Sequence, residues 1–147
     1  KKRIVEKAQK ERAQQIKERN EIEENKQRLK NIEIKAFAEA NAVLSQIVND
    51  LRIKKDVKIT KTDAALTIYW PSFGGGSDTY KYFYNSSVKK LCLRHISKFG
   101  VYLDDFGASS YDFQNPSNNQ SISEVIFDTL EDLLENFEKT IQKFVFV

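Results

Sequence analysis

The distribution of chain breakers is the feature that most constrains this sequence. Its two prolines, Pro71 and Pro116, and all five glycines lie between positions 71 and 116. Neither the first 70 residues nor the last 31 contain a residue that interrupts a helix outright. From Lys1 to about Leu51 the residues are mostly Ala, Glu, Lys, Gln and Arg, the strong helix formers. Glu6–Lys10 and Glu24–Arg28 are spaced as favourable i,i+4 pairs. The spacing predicts one N-terminal helix roughly 75 Å long at about 1.5 Å per residue. Such a helix exceeds the diameter of a small domain, so part of it is expected to project or to pair with another chain.

The helix changes character near Leu29. Before it, large aliphatic residues are sparse, and eleven basic residues face six glutamates over positions 1–30. After it, Leu29, Ile32, Ala36 or Phe37, Ala40, Val43 or Leu44, Ile47 and Leu51 recur at helical spacing. The expected division is therefore a charged projecting helix over 1–30, a possible coiled coil, and a compact α+β domain over 31–147. Within that domain the first element is a helix over 31–52.

The period then changes to two. Val57, Ile59, Leu66, Ile68 and Trp70 alternate with polar residues across the break at Thr62-Asp63-Ala64, as in a hairpin. Phe73 to Asp78 reads as a flexible loop or wide turn. Tyr80, Tyr82 and Tyr84 alternate on one face, and Lys90 to Ile96 and Val101 to Leu103 continue the strand signals, giving strands over 57–103. Residues 107–120 are polar and form the expected mobile loop. Ser121-Ile122-Ser123-Glu124 has the capping-box pattern, and Ile122, Ile126, Leu130, Leu133, Phe137, Ile141 and Phe144 follow on one stripe, predicting a helix over 122–145. The fold class is α+β: a long N-terminal helix, a four- to five-stranded mainly antiparallel sheet, and a C-terminal helix, with both helices on one face. This order resembles the arm-and-head layout of kinetochore RWD-type subunits; the resemblance is one of layout, and no motif carries it.

Several chemistries lack their residues. Gly74-Gly75-Gly76 is not followed by the Gly-Lys-Ser/Thr that a phosphate loop needs, but by Asp78 and an aromatic strand. Asp104 and Asp105 are adjacent, so on a strand they point to opposite faces, and a metal-dependent nuclease built on one of them, with Glu124 or Asp128, is the least unlikely enzyme reading. Cys92 and His95, the only cysteine and the only histidine, are three apart and expected on opposite faces of a strand, unable to act as a nucleophile–base pair. No catalytic, metal or cofactor site is assigned. The lone cysteine and the absence of a membrane-length apolar run lead to the expectation of an intracellular protein, cytoplasmic or nuclear. Position 1 is a lysine and the chain has no methionine, which is the expectation for a fragment or a processed form.

What remains is recognition. Twelve aromatic residues fall between Tyr69 and Phe113, with lysines and arginines among them. The expected partner-binding set is Tyr80, Tyr82, Tyr84, Lys81, Lys89, Lys90 and Arg94, with core packing as the competing role for the aromatics. On the long helix, Arg12, Ile16, Arg19, Ile22 and Leu29 form the expected docking set, Ile22 and Leu29 recurring at seven. The reading is a non-enzymatic interaction, scaffold or inhibitor-type protein that binds another protein, with the long helix for self-association or docking and the α+β head for partner binding. The alternative is a nucleic-acid binder using the basic helix and the aromatic–basic strands.

Overall fold

The computed structural model describes residues 2–101, 107 and 110–146. As the lack of breakers requires, one helix, α1, runs over Lys2–Asn49. The chain divides into two units, the first ending at Ile32 and the second covering Glu33–Val147.

In the first unit every described side chain is exposed, including Ile4, Val5, Ile16, Ile22, Leu29 and Ile32. The helix here rests on intrinsic propensity and on side-chain pairs one turn apart. Gln14 Nε2 donates to Glu18 (3.2 Å) and Gln27 Nε2 to Asn31 (2.9 Å), while Arg28 bonds back to Asn25 (3.1 Å). Such pairs contribute only about 0.2–0.5 kcal/mol each.

In the second unit α1 becomes amphipathic. Phe37, Ala40 and Leu44 are buried, so the packed stripe starts at Phe37 rather than at Leu29. Five strands follow: β1 (Lys58–Lys61), β2 (Ala65–Pro71), β3 (Ser77–Asn85), β4 (Lys90–Lys98) and β5 (Gln120–Phe127). They form one sheet in the order β1-β2-β3-β4-β5, antiparallel throughout, so neighbours in the sheet are consecutive in sequence. Helix α2 (Leu130–Ile141) closes the second unit.

Both helices pack on one face of the sheet, as the α+β reading expects. The core joins Phe37, Ala40 and Leu44 of α1 to Leu133, Phe137 and Ile141 of α2, over Leu66, Ile68, Tyr82, Leu93 and Phe127. Burying each large apolar side chain contributes about 1.5–3 kcal/mol. The segment after α1 is tied in as well. Ile53 forms an antiparallel bridge with Val145, Lys54 N–H donates to Phe144 O (2.9 Å) and Phe146 N–H to Arg52 O (3.0 Å).

The largest departure from the sequence expectation is at 120–129. Residues 120–127 are a strand, not the first turns of a helix, and α2 starts eight residues later than the expected 122. Ser121-Ile122-Ser123-Glu124 is not a capping box: its residues alternate across β5 and pair with Ser97 to Arg94 of β4. The true N-cap is Thr129, whose hydroxyl accepts from Asp132 N–H (3.2 Å), with Glu131 and Asp132 in the first turn, where the helix dipole favours acids. Val101 lies outside any strand, and residues 102–106, with the expected strand end at Leu103, lie outside the described residues.

Of the flexible loop and the wide turn that the Gly-rich segment allows, the structure has the turn. Phe73–Gly75 makes a short 3-10 turn, and Gly74 has φ 77°. A Cβ at Gly100 would sit 2.5 Å from Gly74 O and 2.7 Å from Gly76 N, so two backbone segments meet there without room for a side chain. Val101 N–H donates to Gly74 O (2.8 Å) across that contact. Gly100→Ala is expected to lower stability by about 1–3 kcal/mol through overpacking, read as a fall in the urea unfolding midpoint at unchanged slope. The loop at 110–119 is also organised. The Asp112 carboxylate accepts from Asn115 N–H, Gln114 N–H and the Asn118 amide, and these bonds, that of Asn115 foremost, hold its pKa below the ordinary range. Buried Asn119 bonds to the Asp112 backbone at 2.8 and 2.9 Å.

Candidate partner-binding surface

Successive side chains on a strand point to opposite faces, so the register sorts the expected partner-binding set into two groups. Tyr80, Tyr82 and Tyr84 share the face that carries the helices. Tyr82 is fully buried: its hydroxyl donates to Asn136 Oδ1 (2.9 Å), and its ring meets that of Phe137 edge-on at 5.3 Å. It therefore cannot contact a partner, and its place in the expected set is corrected to the core. Tyr80 and Tyr84 are partly buried against the same core. Burial pushes the Tyr82 phenol up to about 12, with the Thr140 hydroxyl opposing the rise and Tyr80 adding to it.

Lys81 and Arg94 are on the other, open face. They stand directly opposite each other across β3 and β4, and both lie over the Phe83 ring at 5.0 Å. Arg94 also holds Glu124 of β5, with Nε–Oε1 at 2.9 Å and Nη2–Oε1 at 2.7 Å. Being half exposed, this pair contributes at most about 1 kcal/mol, and its role is to fix the side chains in place. Lys89 and Lys90 are exposed at the β3–β4 turn, Lys89 in the left-handed region at φ 55°. Lys90 pairs with Asp128, which lowers that carboxyl's pKa.

The open face alternates in character along its length. Ala65, Phe83, Cys92 and Ile126 form one cross-strand row, Thr60, Thr67, Lys81, Arg94 and Glu124 the next, and Lys58, Tyr69, Thr79, Ile96 and Ile122 a third. Ile122, Ile126 and Tyr69 are exposed on it. A shallow cleft of about 500 Å³ opens at one end, between Glu33, the β1–β2 turn, the Lys81–Phe83–Arg94 cluster and Asn85–Ser87. Ser86 Oγ donates to Glu33 there (3.2 Å). In the other unit, the expected docking residues Arg12, Ile16, Arg19, Ile22 and Leu29 are all exposed.

Sequence reasoning missed one polar cluster. His95 faces the helix side, where Nε2 lies 2.9 Å from Asp78 Oδ1 and the imidazole stacks on Tyr80 at 4.2 Å and 9°. Asp78 precedes Tyr80 by two, so the alternation that aligns the tyrosines would have found it. Cys92 and His95 fall on opposite faces, as their spacing predicts. Cys92 is buried, and burial first, then Glu124, pushes its thiol pKa up. Among the described residues no three His, Cys, Asp or Glu side chains gather as a metal site, and no helix is long and apolar enough to cross a membrane. Asp104 and Asp105 lie outside the described residues. No protein-family model, curated protein or solved structure matches the chain.

Proposed function

We propose that this chain is a non-enzymatic assembly protein whose N-terminal helix pairs with a helix of another chain. The observation that carries this reading is the first unit, where Ile16, Ile22, Leu29 and Ile32 are all 45% exposed or more. An isolated helix gains little from propensity alone, and most helical stability in proteins comes from packing an apolar face. The aliphatic residues are few and lysines and glutamates surround them, which suits a weak or regulated coiled coil better than a permanent one.

The test is solution mass by light scattering on the full chain and on a variant carrying Ile16→Gln, Ile22→Gln and Leu29→Gln. These side chains are exposed, so the folded second unit is untouched. A mass that falls in the variant supports the reading; equal masses for the two overturn helix-mediated self-association. A second reading, nucleic-acid binding, is favoured by the excess of about five positive charges over positions 1–30. It predicts affinity for single-stranded RNA or DNA that drops steeply between low and moderate salt.

A further inference from the structure

The two edges of the sheet differ. β1 is four residues long with a lysine at each end, Lys58 and Lys61, a common way of blocking an edge from pairing with another strand. β5, at the opposite edge, is eight residues long and has no lysine, proline or glycine. Its composition is β-branched and hydroxylic, and seven of its eight residues are exposed, with Ile122 at 56% and Ile126 at 52%. Every second N–H and C=O of such a strand points away from β4, and apart from Gln120 N–H, which donates to Ser117 O, no backbone bond to them is found among the described residues. A segment of this kind left bare is an aggregation hazard.

We propose that β5 pairs antiparallel with β5 of a second copy, joining two sheets into one of ten strands. Charge decides between the edges. The one charge on β5, Glu124, is already compensated by Arg94 at 2.7 Å, so the strand meets its own copy without net repulsion. β1 meeting its copy would bring four lysines together. A two-fold axis perpendicular to the sheet keeps each face continuous and allows only registers that oppose residues of the same face. Like charges directly opposite are destabilising. Of the registers that avoid them, the one that keeps most of β5 paired places Ser123 on the axis opposite Ser123 of the second copy, with each Glu124 opposite the other copy's Ile122. The pairing also closes. Both remaining edges are lysine-blocked β1 strands, so pairing of the sheets stops at two copies rather than continuing edge to edge.

The experiment uses the full chain carrying Ile16→Gln, Ile22→Gln and Leu29→Gln, which removes the helix contact and so isolates this interface from the function proposed above. Light scattering is run over a concentration series, with and without Ile122→Lys and Ile126→Lys, which give β5 the same protection as β1. The expected result is a dimer whose dissociation constant rises by roughly tenfold or more with the lysines. In parallel, hydrogen exchange of the same chain without lysines should show alternate amides of residues 121–127 becoming protected as concentration rises. A monomer at all concentrations, or a dimer unaffected by the lysines with no concentration-dependent protection of β5, overturns the proposal. Failure of helix pairing is read separately, from equal masses of the chain with and without the three glutamine substitutions.

Discussion

Replacing Phe137 with alanine is expected to lower the unfolding free energy by about 3–5 kcal/mol, the range for removing a fully enclosed aromatic ring. Phe137 has no exposed surface and lies where α2 meets the centre of the sheet, its ring set against Tyr82. Tyr82 and Phe37 in the same cluster are also fully enclosed, so the space left by the ring has no solvent route by which to collapse cheaply. In urea the midpoint should fall while the slope is unchanged, the signature of a weaker fold with an unaltered unfolded state. Phe113→Ala is the matched control, since Phe113 is 67% exposed and its loss should change stability by about 0.5 kcal/mol or less. Equal effects from the two substitutions would show that α2 does not dock through this ring.

The second large effect is an alkaline one. The phenol of Tyr82 is raised to about 12 in the fold, against about 10 for a tyrosine in the unfolded chain. A folded pKa above the unfolded one means that the neutral phenol is favoured by folding. The stabilisation is therefore complete below about pH 10 and is lost as pH rises toward 12. The loss attributable to this group is about 2–3 kcal/mol. Tyr82→Phe removes the titrating group and leaves Asn136 Oδ1 without its donor, at a cost of about 1–3 kcal/mol near neutrality. Urea midpoints measured from pH 8 to pH 12 should fall more steeply in the parent chain than in the variant, the two curves approaching each other at the alkaline end. Parallel curves would mean that Tyr82 ionises without penalty and is not enclosed.

These two residues also show where sequence reasoning succeeds and where it stops. Alternation placed Tyr80, Tyr82 and Tyr84 together and Phe83 opposite, and the register agrees. Alternation cannot say which of two faces is covered, because that is decided by where α1 and α2 dock. The expected partner set also combined those tyrosines with Lys81, although a period of two puts Lys81 on the other side of the strand. The misplaced start of α2 has a similar origin. Ile122 and Ile126 are four apart, and positions four apart share a face in a strand as well as in a helix. The stripe through Leu130 and Phe137 therefore ran back into β5 without a visible break. Two signals pointed the other way: the β-branched pair Val125-Ile126, and Asp128-Thr129, which supplies a competing cap with an acid three residues on. The long helix, by contrast, was legible because propensity and the absence of breakers agree over its whole length, and no tertiary contact is needed to place it.

The order of the strands has a consequence for how the molecule comes into being. β1 to β4 close through short turns at small entropic cost, whereas β5 must be brought back across the long connection from Phe99 to Asn119. Helix α2, which supplies Leu133, Phe137 and Ile141 to the core, is synthesised after that. Until α2 is made, the apolar side of β1 to β4, with Tyr82 and Leu93, has no helix but α1 available to cover it. A core completed only when β5 and α2 dock leaves apolar surface open to misassembly until they do.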